Sequence, residues 1–271
     1  MELAVSSIAW TNEEELMVAE KLRELGVKNV EIAPTKIWSD PTQTSYEDAI
    51  TYVNWWKDRG IKVSAFQSML FARPDLKIFE SEENRRENLE YMSRFIALAG
   101  VMDAKKLVFG SPKNRQRGEM AIEKANEIAR EYFSELARVA LDSGVVLCLE
   151  PNAPQYNCDF ITNAQEGADF VRSINSDGFG LHLDTACMHL AGDDMTQSIM
   201  KSRDILEHFH ISSPMLGAVE PNTEVDHASA AKALRDINYS KIVSIEMRPG
   251  EVGENVARVE TAVRFAQSVY S

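Results

Sequence analysis

Cysteine is scarce in this chain. Three occur in 271 residues, Cys148, Cys158 and Cys187. An odd number without a CxxC pair excludes a disulfide framework and a thiolate zinc ribbon, and points to a reducing, cytoplasmic setting. Positive charge is also short: 29 Lys and Arg against 42 Asp and Glu leave a net charge of −13. That balance argues against nucleic acid or an anionic membrane as partner, because both are gripped through phosphate contacts. There is no apolar run of bilayer length, and the opening "MELAVSSIAW" lacks the pattern of a signal peptide. GxGxxG and GxxxxGK are both missing, which removes the usual dinucleotide and P-loop phosphate cradles. With 44% hydrophobic and 26% charged residues and no low-complexity linker, one globular domain over residues 1–271 is expected.

What is present is a repeated pattern. An amphipathic stretch ends in glycine and a β-branched apolar run follows, as in "EKLRELGVKNVEIAP", "VNWWKDRGIKVSAF", "FIALAGVMDAKKLVFG" and "ELARVALDSGVVLCLEP". Gly26, Gly60, Gly100 and Gly144 read as left-handed helix caps. Strands are predicted near 3–9, 28–33, 62–66, 105–110, 145–150, 179–184, 206–211 and 242–247, with helices between them. Thr162 and Gln165 read as a capping box. Eight β–α units in this length are the arithmetic of a closed (β/α)8 TIM barrel, and an open doubly wound sheet is the rival.

The last four predicted strands end in "VVLCLEP", "FGLHLDT", "LEHFHIS" and "IVSIEMR". Each brings one metal-ligand type to the same end of the barrel: Glu150, Asp184, His210 and Glu246. Strand alternation places Cys148, His182, His208, Ser244 and Arg248 on the ligand face and the leucines and isoleucines on the other. A lone strand-end carboxylate is usually a cap or an ion-pair partner. Three converging carboxylates repel, and a divalent cation removes that conflict. Three carboxylates and an imidazole favour Mn²⁺, Mg²⁺ or Co²⁺, with Zn²⁺ not excluded.

On "LCLEPN", "LHLDT", "HFHIS" and "VSIEMRP" the chain resembles the xylose isomerase-like (sugar phosphate isomerase/epimerase) TIM-barrel superfamily. That superfamily includes ketose 3-epimerases, hydroxypyruvate isomerases and endonuclease IV. The resemblance implies a metal held by Glu150, Asp184, His210 and Glu246 that stabilises the enediolate of a small carbohydrate or hydroxy-carbonyl substrate. Glu150 and Glu246 would be the facing acid–base pair. Three positions depart from the ketose 3-epimerases: Cys187 stands where they carry His, Tyr156 where they carry Glu, and Leu216 where they carry Arg. The departures point to a changed substrate, or to another reaction on the same enolising metal.

Several further residues are candidates for substrate contact. Lys113, Arg115 and Arg117 in "FGSPKNRQRG" form a basic loop at the predicted rim, either an anion clamp or a salt-bridged surface. Arg248 is a second anion candidate, or a bridge to a ligand carboxylate. Glu31 faces the pocket or caps a helix, Gln67 can bond a hydroxyl, and Cys187 and His189 follow the metal Asp. His182 and His208 are expected lower in the barrel as polar core, and His227 beside the site or opening a helix. Trp55 and Trp56 are expected to pack or to meet a second copy in a homo-oligomer. The leading activity is a metal-dependent isomerase or epimerase. A lyase or dehydratase on the same scaffold and a non-catalytic metal- or ligand-binding barrel stay open. Phosphodiester cleavage is disfavoured by the net charge and by missing metal positions.

Overall fold

All eight predicted strands form and close on themselves. The computed structural model describes residues 1–270. Its strands are β1 Glu2–Ser6, β2 Asn29–Ile32, β3 Lys62–Phe66, β4 Lys106–Phe109, β5 Val146–Leu149, β6 Phe179–Asp184, β7 Leu206–Ser212 and β8 Ile242–Glu246. Neighbours pair in parallel in chain order, and β8 returns to β1 through Glu2↔Ile242. The TIM barrel is thus the fold, and the open sheet is excluded by closure.

The outward parity of the strands makes the main core. Leu147, Leu149, Leu181, Leu183, Phe209, Ile211 and Ile245 are all buried. They meet helices such as Ile122–Asp142, whose Ala125, Ile128, Ala129, Tyr132, Phe133 and Leu136 fall at helical spacing on one buried face. Trp56 is fully buried, its ring 6.4 Å from that of Trp10. Trp55 is covered by the Arg59 guanidinium, 3.8 Å from its ring centre. The three cysteines are buried and free. Among the described residues no helix is long and apolar enough to cross a membrane.

Three local readings are corrected. β1 stops at Ser6, not residue 9, because the Ser6 hydroxyl accepts the Ile8 N–H (3.4 Å) and the chain turns. Gly100 is not a left-handed cap: its helix continues to Val101 and Asp103 takes the positive φ of 57°. Gly100 serves close packing instead, since a Cβ there would lie 2.9 Å from the Ser143 carbonyl oxygen. The helix Ala164–Ile174 is capped by Asn163, which accepts the Glu166 N–H at 3.0 Å. Thr162 donates its N–H to Glu166, not to Gln165, at 2.7 Å.

Candidate metal centre and active site

Glu150 follows the last residue of β5, Asp184 and Glu246 end β6 and β8, and His210 lies two residues before the end of β7. Alternation aims all four inward. One ligand atom each of Glu150, Asp184 and His210 lie within 4.8 Å of one another, all three residues buried. The Glu246 carboxylate is 3.4 Å from His210 Nδ1, and that nitrogen makes no proper hydrogen bond.

The electrostatics of this group are unbalanced. Burial, then the charges of Glu246 and Asp184, push the Glu150 carboxyl up to about 8. Burial and Glu246 also raise Asp184, against the Ser212 hydroxyl and the Cys187 N–H that bond its carboxylate. Burial opposes a charge on His210, but the carboxylates of Glu31 and Glu246 outweigh it and hold the imidazole well above its ordinary value. A buried, unpartnered ring nitrogen facing three crowded carboxylates suits a hard divalent cation, so the donor set fits the expected metal.

The backbone shapes these positions. Asp184 caps the helix Thr185–Ala191: Oδ1 accepts the Cys187 N–H at 2.6 Å and Oδ2 accepts the Ser212 hydroxyl. Gly110, just past β4, makes room for Glu150; a Cβ at Gly110 would lie 2.9 Å from Glu150 Cδ and collide with its carboxylate. Gly110→Ala is therefore expected to displace Glu150 and weaken divalent-metal binding at least about tenfold while the far-ultraviolet circular dichroism stays that of the wild type. Unchanged affinity in a calorimetric titration would remove this role from Gly110.

A cavity of about 460 Å³ opens above the carboxylates, and Gln67, Lys113, Asn152, Tyr156, Cys187 and Leu216 are among its walls. The three positions that depart from the ketose 3-epimerases thus share one chamber. Gln67 is buried there and donates to the Ser6 hydroxyl. Cys187 Sγ is 3.6 Å from Glu150 Oε1. Lys113 is exposed on the short turn Pro112–Arg115, and its ammonium makes no ion pair among the described residues.

Other expectations fail on placement. Arg115 is not at the rim. It is fully buried and its guanidinium donates to the carbonyls of Phe160, Phe109 and Glu150 and to Asn152 Oδ1. Arg117 is spent on loop carbonyls of Asp159, Gly118 and Met120. Arg248 lies beyond the end of β8, where alternation no longer applies, and is exposed outside the cavity. His189 lies beside Glu224, 4.0 Å away, at a different surface hollow. Glu31 neither lines the cavity nor caps a helix: it bonds His208 and His210 beneath it. His227 does open a helix, His227–Asp236, as one of its two expected placements had it, and it bonds the Tyr270 hydroxyl at 2.8 Å. Ser212, not singled out in the sequence, ends β7 two residues after His210, where strand alternation points to it; Asn152, three residues past the end of β5, lies beyond the reach of that rule.

A closed parallel barrel with a carboxylate–imidazole cluster at the C-terminal ends of its strands defines a class of metal-site TIM barrels. Residues 19–269 match the family described as xylose isomerase-like TIM barrel, and the chain belongs to that family. It is 30% identical over 129 residues to an L-ribulose 3-epimerase from Methylomonas sp. (strain DH-1), a match covering 48% of this chain and 44% of that protein. The chain therefore matches less than half the length of this curated relative. In fold it is similar to a D-psicose 3-epimerase with D-tagatose from Clostridium cellulolyticum H10, with a TM-score of 0.81, 19% identity and 100% of both chains covered. It is also similar to the IOLI protein with a bound zinc atom, with a TM-score of 0.79, 18% identity, and 100% and 98% covered.

Proposed function

We propose that this chain is a divalent-metal-dependent isomerase or epimerase acting on a sugar, a sugar phosphate or a small hydroxy-carbonyl acid. The observation that carries the reading is the convergence of Glu150, Asp184 and His210 within 4.8 Å, with Glu246 beside His210, at the floor of a substrate-sized cavity. Those four residues would hold the metal. Mn²⁺, Mg²⁺ or Co²⁺ suit three carboxylates and an imidazole, and Zn²⁺ stays in the set because the IOLI protein holds it. Such a cation supplies Lewis-acid stabilisation of the charge that develops on substrate oxygens when a carbon-bound proton leaves.

Glu150 and Glu246 are assigned the proton transfers. Without metal, burial among like charges raises the Glu150 carboxyl; a bound cation would favour its ionised form, the form that removes a proton from carbon. Asp184 takes no part in proton transfer, because its two oxygens are already held by the Cys187 N–H and the Ser212 hydroxyl. Gln67 and Asn152 supply polar groups to the cavity for substrate hydroxyls. Lys113 is the cation at its wall, placed for a phosphate or carboxylate at the far end of the substrate. Leu216, Tyr156 and Cys187, in place of Arg, Glu and His, favour a substrate other than a free ketohexose.

The test is proton exchange in D₂O over a panel of ketoses, ketose phosphates and hydroxy-acids with added metal. The expected result is metal-dependent deuterium at the carbon beside the carbonyl, lowered by about 10²–10⁴ in Glu246→Gln. A protein that takes up no divalent metal under any condition would overturn the reading. A product with a new carbon–carbon double bond would replace it with the lyase.

A further inference from the structure

Beneath the carboxylate floor lies a second polar layer, of which the proposed chemistry uses only His210. Glu31, from β2, meets His208 and His210, from β7, inside the barrel. Its Oε1 is 3.1 Å from His208 Nε2 and its Oε2 is 2.9 Å from His210 Nε2. All three side chains are sealed from solvent, and among the described residues no lysine or arginine shares the carboxylate's hydrogen bonds. The third imidazole, His182, packs edge-on against His210 with ring centres 4.1 Å apart, and neither of its nitrogens has a partner among the described residues.

A buried carboxylate without a guanidinium or ammonium is costly to keep, so its placement asks for a reason. The backbone supports a deliberate placement. The β2–β3 register slips between Val30 and Glu31, an irregularity of the kind that re-aims a side chain. The β6–β7 register slips at Leu181/His182, in the same layer.

A neutral imidazole carries one N–H, and the bond at one nitrogen decides what the other can do. With Nε2–H given to Glu31, the Nδ1 of His210 is left as a lone pair, and Nδ1 is the nitrogen that faces Glu246. We propose that Glu31 is a positioning residue: it fixes the tautomer and ring orientation of His210 so that Nδ1 is presented to the metal centre, with His208 holding its second oxygen. This rests on the proposed function, which makes His210 a ligand.

The experiment is two-part. First, histidine ¹⁵N–¹H correlation spectra of the metal-free protein are recorded at a pH high enough to deprotonate the His210 imidazolium, with His210 assigned from His210→Gln. The expected result is an Nε2–H tautomer in the wild type and loss of that single tautomer in Glu31→Gln, whose amide can accept from only one of the two rings. Second, calorimetry with Mn²⁺ is expected to show affinity about 10–100-fold weaker in Glu31→Gln, with melting confirming that the variant is folded. An Nδ1–H tautomer in the wild type overturns the proposal, with or without a folded variant. A folded Glu31→Gln that binds Mn²⁺ as the wild type does overturns it too, and leaves the proposed function standing. A wild type that binds no divalent metal removes the proposed function, and the tautomer result then judges Glu31 alone.

Discussion

Glu150→Gln is expected to make the metal-free protein more stable at alkaline pH while abolishing its metal-dependent chemistry. In the folded chain Glu150 is buried beside Glu246 and Asp184, and its carboxyl is raised from 4.5 to about 8. The unfolded chain releases that proton near 4.5. Between those values the folded state binds the extra proton, so stability falls as pH rises, and the full penalty is present above about 8. Glutamine fills the same space without charge and escapes the penalty. The attractions to His210 and Arg115 are already contained in that raised value, and the carboxylates of the cluster share the relief, which leaves on the order of 2–4 kcal/mol above pH 8 and little difference near pH 4. Urea denaturation in EDTA at several pH values measures this directly. A variant less stable than the wild type at alkaline pH would mean that the carboxylate is held by favourable contacts rather than stored in a repulsive cluster. Added divalent metal should invert the order, because it stabilises only the protein that can bind it.

Much of the candidate site can be picked out from the sequence by position alone. Glu150, Asp184, His210 and Glu246 each stand at or near the end of an apolar run, and strand alternation is a local rule that needs no knowledge of loops. The strands themselves fall within a residue or two of their predicted ends, β1 excepted, because parallel barrel strands are continuous apolar runs punctuated by helix caps. What the sequence hides is direction at a distance. Glu31 reaches residues 177 and 179 positions away, across the barrel, and nothing local distinguishes it from a rim carboxylate. Arg248 is misplaced by applying alternation two residues past the end of β8. Lys113 and Arg115 are neighbours in one basic loop, yet one ends at the cavity wall and the other inside the protein, because the turn Pro112–Arg115 sends their side chains apart.

That separation gives Arg115 the other large expected effect. Arg115→Met should lower stability by about 3–5 kcal/mol, an effect that an anion clamp at the rim would not produce. The guanidinium serves four acceptors at once: Phe160 O at 3.2 Å, Phe109 O at 3.3 Å, Glu150 O at 2.6 Å and Asn152 Oδ1 at 2.7 Å. It thereby ties the end of β4 to the residues that follow β5 and to the loop at Phe160. Methionine fills comparable volume but leaves the Glu150 carbonyl and Asn152 Oδ1 buried without a partner among the described residues, and each costs about 1–3 kcal/mol when no water reaches it; the Phe109 carbonyl keeps the Glu150 N–H. The change also removes a positive charge that favours ionised Glu150, so the carboxyl should rise further and bind metal less well at neutral pH. Arg115→Lys keeps the charge but not the fork, and should fall between the two. Lys113→Ala is the control from the same turn: it should leave the urea midpoint unchanged and, for an anionic substrate, raise KM. If Arg115→Met melts with the wild type and loses only affinity for anions, the roles of the two residues are reversed.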